Sequence, residues 1–414
     1  MYVVGCGGSG STPVSRGRIP PASPPTCTAI TTRTYTTAQT ALVGGGSAGI
    51  LVPATSIPRA ADAGVRAHTN HLILTRGAAT RAPGPGGLIP SQVYKAYGVP
   101  ANSGSGAVAI IDAYNYPTAL NDFNQFSQTF NLPTESSTNV TGATNTVFQV
   151  VYATGSAPID DAGWSQEMAV DTQWAHAMAP RAKIYLVEAA SSNLSDLIAA
   201  VNVAKALPGV RQVTISFGSA EDSCSLVNYD SAFLQNGVVF FASSGDTSGE
   251  RDFPAESVNV VAVGGTTLNV ANDGTWLSET VWNSTGGGSS QFEPRPVFQD
   301  LVQNIVGAYR GDADIAAVGD PNTGVSVYDS LPYQGSSGWQ VFGGTSAATP
   351  IVAGIANAAG APRASSQAQN SVLYAGIGTA NFHDITKGSS GTLTATVGWD
   401  FPTGVGSPNG LKGF

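Results

Sequence analysis

Histidine is scarce in this chain: the 414 residues contain only His68, His71, His176 and His383. The first two precede the region that carries the main motifs, and His176 falls on the far side of its helix. No histidine is therefore well placed to act as a general base. Charge is scarce as well, at 11% of residues, and the net charge of −9 argues against a nucleic-acid surface. Cysteine is limited to Cys6, Cys27 and Cys224, too few for a closed disulfide framework and without metal-site spacing. No apolar run of about 20 residues exists, so no segment is expected to span a membrane. What is plentiful is glycine, 50 residues, and with so few charges the composition suits an exported protein. The length permits one large domain with an appendage.

Residues 1–85 read as that appendage, a poorly structured tether or short pro-like segment low in aromatics. Val3-Val4-Gly5-Cys6 followed by a Gly/Ser run has the form of a lipobox with its tether, which would anchor the chain through lipid on Cys6. Short strands are expected at Gly49–Pro53 and His71–Leu74, without an assignable fold. Arg81–Gly87 is rich in Pro and Gly and marks the boundary.

From residue 86 the pattern changes. Apolar runs at 108–112, 183–187, 212–217, 238–242 and 258–263 read as buried strands. Helical segments fall between them at 117–130, 165–178, 193–206 and 227–235. The alternation predicts one α/β domain over 86–414, a mostly parallel central sheet with helices on both faces. Short Gly-rich strands over 276–342 precede a last helix that starts near Ser346.

The helix over 165–178, with Ser165 expected as its N-cap, carries the feature hardest to explain by stability. At about 100° per residue, Glu167, Asp171, Trp174 and Met178 share one face. Thr172, Gln173 and His176 take the opposite, expected solvent face. A bare Glu-x-x-x-Asp pair usually marks an exposed helix edge. Here the two acids sit within an apolar stripe, where burial costs several kcal/mol unless they are paired or protonated.

Gly344-Thr345-Ser346 runs directly into an apolar helix. Serine is an ordinary N-cap, but small residues on its approach also suit a nucleophile that a peptide backbone must reach. Such a serine needs a base, and without a usable histidine the remaining candidates are Glu167 and Asp171, carboxylates able to serve at low pH. Asp112, in Ile110-Ile111-Asp112-Ala113-Tyr114, resembles the first-strand aspartate of true subtilisins, an arrangement that implies a His-Gly-Thr-His segment, and none is present. It reads as structural, bonding a loop over the strand end.

Several motifs in order now resemble one family, the sedolisins or serine-carboxyl peptidases, over about residues 87–414. Leu88–Gly98 looks like the start of a mature domain, and Trp164–Pro180 like the Glu-x-x-x-Asp helix. Ser243–Asp246 looks like the oxyanion segment, and Gly344–Ser346 with Pro350 like the nucleophile turn. The resemblance implies a subtilisin-like fold and an acid-active endopeptidase. Ser346 would be the nucleophile, Glu167 the general base, Asp171 its partner and Asp246 a protonated oxyanion donor. Ser216, Phe217 and Gly218 would form the edge that pairs with substrate, Phe217 standing where the family has tryptophan. The stretch from Asp384 to Asp400 resembles a calcium loop, implying one structural Ca²⁺ held by Asp384, Asp400 and the carbonyls of Ile385, Thr396 and Gly398. Thr396 replaces a usual glycine there. The expected partners are protein and peptide substrates, the expected state an exported monomer. The alternative is a catalytically idle relative that binds peptides at a surface.

Overall fold

A computed structural model describes residues 19–20, 22–23, 26, 49–75 and 84–414. Cys6 and the lipidation expected there lie outside the described residues, as does Cys27. Cys224 is disulfide-bonded.

In chain order the first strands are β1 (Gly49–Leu51), β2 (His68–Thr69) and β3 (Leu72–Thr75). The main domain opens with α1 (Pro90–Tyr97), β4 (Ala107–Ala113), α2 (Ala119–Thr129), β5 (Phe148–Tyr152) and α3 (Ala162–Met178). It continues with β6 (Lys183–Ala189), α4 (Leu194–Ala204), β7 (Val210–Ile215), β8 (Phe217–Ala220), α5 (Ser223–Tyr229), β9 (Val239–Ser243), β10 (Asp252–Phe253) and β11 (Val261–Val270). Then come β12 (Trp276–Val281), β13 (Gly288–Pro294), α6 (Gln303–Val306), β14 (Tyr309–Asp312), β15 (Ile315–Val318), β16 (Val325–Tyr333), β17 (Ser336–Gly343), α7 (Thr345–Ala359) and α8 (Ser366–Ala375).

The central sheet has eight strands in the order β12-β11-β9-β7-β4-β6-β5, with β15 also on β11. All its pairings are parallel except that of the edge strand β12. The α/β expectation therefore holds, and the subtilisin-like architecture with it. Every residue of β4 is buried, as strands covered by helices on both faces require. Two smaller sheets matter for the site. One, β10-β8-β2, has the predicted substrate edge as its middle strand; the other, β1-β3-β17-β16, joins the amino-terminal segment to the strand that leads to Ser346.

Helix α3 differs from its expected form in two ways. Its N-cap is Asp161, whose carboxylate accepts the Gly163 and Trp164 amides, so the helix starts a turn before Ser165. It also has no solvent face, since every residue from Gly163 to Met178 is buried. The polar residues of its far side find hydrogen-bond partners inside the protein, His176 through Nε2 alone. Gln173 exchanges two hydrogen bonds with the Tyr328 backbone, at 2.7 and 2.9 Å. His176 reaches the Pro133 carbonyl at 2.8 Å, and Thr172 the Met168 carbonyl at 2.6 Å. Helical periodicity told which residues share a face; it did not tell that the second face would be covered by α2 and β16.

Candidate active site

The site is built where α3, α7 and the carboxyl ends of the central strands meet, the usual position for function in an open parallel sheet. Gly344 precedes α7 with φ 102°, a conformation that favours glycine. A side chain there would also run into the Asn70 carbonyl and the Asp246 carboxylate. The turn delivers Ser346, fully buried, into the first turn of α7. Its hydroxyl donates to the Ser216 carbonyl at 3.0 Å.

Glu167 and Asp171 lie one helical turn apart and are both fully buried. Burial pushes the Glu167 carboxyl well above its ordinary range, and the neighbouring Ser346 hydroxyl and the Asn70 backbone pull it partly back. The serine thus sits close enough to influence Glu167 while its hydroxyl donates to the Ser216 carbonyl, so rotating that hydroxyl would bring Glu167 into play. Asp171 is raised by burial and then by the Glu167 charge, against a 2.7 Å bond from the Ser216 hydroxyl. Asp246 comes from the segment after β9. Its Oδ1 accepts the Thr345 amide at 2.7 Å and hydroxyl at 2.9 Å. Burial nevertheless drives it far up, helped by the charges of Glu167 and Glu250. Its other oxygen, Oδ2, has no hydrogen-bond partner among the described residues. The arrangement holds a hydroxyl among three carboxyl groups that prefer to keep protons.

Asp112 does not bond a loop as expected. Both its oxygens lack a hydrogen-bond partner, and burial and the charges of Asp171, Glu167 and Glu188 raise it far above its usual range. It belongs to the acid cluster behind the site, because its place at the end of β4 faces α3.

The expectation that no histidine approaches the site is corrected. His71 Nδ1 is 2.7 Å from Glu167 Oε2, and its ring stacks on Phe342 with centroids 5.6 Å apart. Burial lowers its pKa to about 4 while raising that of Glu167, so both shifts disfavour the charged forms of the pair. Sequence separation hid this, since the two partners are 96 positions apart in the chain. Glu250 was missed as well. Its Oε2 accepts the amides of Asp246 and Thr247, at 3.2 and 3.1 Å, and so fixes the turn that presents Asp246. The only sequence signal was an acid four residues after Asp246.

Strand β8, the predicted substrate edge, contains Phe217 and Gly218, with Ser216 in the link from β7, and is paired on one side with β10 and on the other with β2. Gly218 leaves room for the Asp252 carboxylate, against which any side chain would collide. Among the described residues one group of three metal-competent side chains converges, His68, Glu250 and Asp252.

The peptidase S8 model, described as the subtilase family, matches residues 162–399. Over 81% of its length the chain is 34% identical to kumamolisin of Bacillus sp. (strain MN-32), covering 64% of that protein. The chain belongs to the subtilase family, on its sedolisin branch. It is 31% identical to sedolisin of Pseudomonas sp. (strain 101) over 54% of its own length and 43% of the relative's. The solved Pseudomonas sedolisin, a serine-carboxyl proteinase complexed with two molecules of pseudo-iodotyrostatin, superposes with a TM-score of 0.66. That match has 26% identity and covers 79% of this chain and 96% of that one. This sedolisin-family chain thus spans less than two thirds of the length of the curated relatives it matches.

The carboxyl-terminal loop of this sedolisin-family chain brings its two acids to one turn. Asp384 accepts the Gly398 amide with both oxygens, each at 3.1 Å. Asp400 accepts the Thr396 amide at 2.9 Å and, on its other oxygen, the Thr403 amide and hydroxyl at 3.0 and 2.8 Å. With the carbonyls of Ile385, Thr396 and Gly398, the donor set consists of oxygen alone. That chemistry fits a hard cation.

Proposed function

We propose that the chain is an acid-active serine-carboxyl endopeptidase that hydrolyses peptide bonds of proteins. One observation carries the reading: a buried serine at a helix amino terminus is surrounded by Glu167, Asp171 and Asp246. All three are raised by burial, and none is paired with Lys or Arg among the described residues. Ser346 attacks the scissile carbonyl, Glu167 takes its proton and returns it to the leaving amine, and Asp171 shares charge with Glu167. Asp246, kept protonated, donates to the oxyanion. An ionised Asp246 would repel that oxyanion, so activity requires low pH. The β8 edge, through Ser216, Phe217 and Gly218, pairs with an extended substrate backbone.

Casein hydrolysis measured at about pH 4 tests this with wild type, Ser346→Ala and Glu167→Ala. Both variants should lose activity, and wild-type activity should fall as pH rises. Equal activity in all three, or a flat neutral-to-alkaline profile, removes the proposal and leaves the idle, peptide-binding relative.

The loop from Asp384 to Asp400 is proposed to hold one structural Ca²⁺ through Asp384, Ile385, Thr396, Gly398 and Asp400. Chelation should lower the unfolding temperature, and Asp400→Ala should remove that sensitivity. We also propose export and a monomeric state; no helix among the described residues is long and apolar enough to cross a membrane.

A further inference from the structure

The amino-terminal segment lies along the cleft as a substrate would. Strand β2 pairs antiparallel with β8, placing His68 opposite Gly218 and Thr69 opposite Phe217. The Asn70 amide donates to the Ser216 carbonyl at 3.2 Å, extending that ladder by one residue toward the serine. The Asn70 carbonyl then accepts the Ser346 amide at 2.9 Å. The same oxygen and Asp246 Oδ2 flank the open side of Gly344. This is where a carbonyl must sit if negative charge forming on it is to meet the Ser346 N–H and the Asp246 carboxyl. Beyond that carbonyl, His71 contacts Glu167, and β3 pairs with β17 with Leu72 opposite Gly343 and Ile73 opposite Phe342. Sheet pairing thus holds the chain on both sides of one peptide bond.

Resting on the peptidase reading above, we infer that Asn70–His71 is the bond this site cuts in its own chain, and that Asn before the cut and His after it are residues the cleft selects. Ser346 Oγ adds to the Asn70 carbonyl carbon as its proton passes to Glu167. The C–N bond breaks as Glu167 returns that proton to the His71 nitrogen, leaving Asn70 esterified to the serine. One water then hydrolyses the ester, giving a carboxyl group at Asn70 and an amino terminus at His71. Glu167 has the capacity for this despite its contact with His71, because its Oε1 has no hydrogen-bond partner among the described residues. Side-chain contacts supply the selectivity. Asn70 Nδ2 donates to Ser243 Oγ at 2.8 Å in a buried pocket. His71 is held by Glu167 and by stacking on Phe342. Two residues upstream, His68 Nε2 lies 3.7 Å from Glu250 and 3.5 Å from Asp252. The registers put His68 and Asp252 on one face of the small sheet, opposite Gly218 and Ala220.

The full chain, purified at neutral pH and shifted to about pH 4, is followed by intact mass and amino-terminal sequencing beside Ser346→Ala. The expected result is a new terminus at His71 in the wild type and none in the serine variant. The rate should not change on dilution, since the bound bond is in cis. Asn70→Leu should slow cutting at this bond by about tenfold or more through loss of the amide contact, and a free peptide containing His-Thr-Asn-His-Leu-Ile should be cut after Asn. If the wild type hydrolyses casein but its new terminus lies elsewhere, or the rate falls with dilution, this inference is overturned while the peptidase reading stands. If neither casein nor the chain itself is cut, both fall.

Discussion

Two of the groups of buried acids among the described residues differ in what accompanies them. One surrounds Ser346: Asp112, Glu167, Asp171 and Asp246, with Glu188 behind. The other surrounds Arg310, which is fully buried and bonds Asp314 with both terminal nitrogens, at 2.7 and 3.2 Å. Arg310 also donates to the carbonyls of Ser257 and Ala255, so its fork is satisfied on several sides. The second group carries its own cation; the first has none from its own domain. Its one basic partner among the described residues, His71, is lent by the amino-terminal segment, and burial lowers its pKa to about 4. Acids buried with a built-in guanidinium hold strands together. Acids buried without one keep their protons and can exchange them with a substrate.

Exchanging one charge-bearing group in each cluster should break the comparison if it is wrong. Glu167→Gln keeps the shape of the side chain but removes the carboxyl that can take and return a proton, in a site whose burial already disfavours the charged form. Peptidase activity should fall by about 10³-fold or more, with stability moved by less than about 1 kcal/mol. Urea unfolding and casein turnover on the same sample separate the two effects. A large stability loss without an activity loss would place Glu167 among the framework acids.

Arg310→Met should do the reverse. Removing a buried counter-ion strands Asp314 and costs about 3–5 kcal/mol, while turnover per folded molecule stays near wild type. If the folded fraction loses its activity, the second cluster is coupled to the first and the division fails.

Asp246→Ala should cost about 10²–10³-fold in turnover, the usual effect of losing one oxyanion donor. Asp246→Asn retains a donor that does not ionise, so it should keep more activity than alanine and extend it to higher pH. Equal losses in both variants would show that Asp246 shapes the turn through Thr345 and does not donate to the substrate.

The parallel sheet was legible because buried strands such as Ala107–Ala113 are continuous apolar runs, and α7 because small residues lead into an apolar helix. The acids of α3 were legible as anomalies, since a carboxylate within an apolar stripe has no reading from stability alone. Three things were not. The burial of Thr172, Gln173 and His176 depends on what packs over the helix, which periodicity does not encode. The N-cap moved from Ser165 to Asp161 because both residue types cap well and only the path of the preceding loop decides between them. His71 was dismissed on sequence position, although the apolar run after it was read as a strand. Strands β1 and β3 pair with each other but make only a two-stranded ribbon, and β17 supplies the further edge that brings Asn70 and His71 against Ser346 and Glu167.

The smallest expected effect sharpens the comparison through pH. Glu188 pairs in register with Asp112 across β4 and β6, and burial raises its pKa to about 8, the nearby Asp160 charge adding to this against the Tyr116 amide. An acid raised in the folded state binds a proton that the unfolded chain gives up near its ordinary pKa. Its stabilisation is complete below that value and is lost as pH rises toward about 8, at up to about 1.4 kcal/mol per pH unit. His71 and His176, both lowered by burial to about 4, act in the opposite sense, and only on acidification below the ordinary imidazole range. Between neutrality and about pH 8 the slope therefore belongs to the acids. In the Ser346→Ala background, which prevents self-digestion, unfolding free energy should fall over that interval, and adding Glu188→Gln should flatten the fall. An unchanged slope would mean that Glu188 finds a counter-charge on folding, and the cation-free character of the first cluster would end at Asp112.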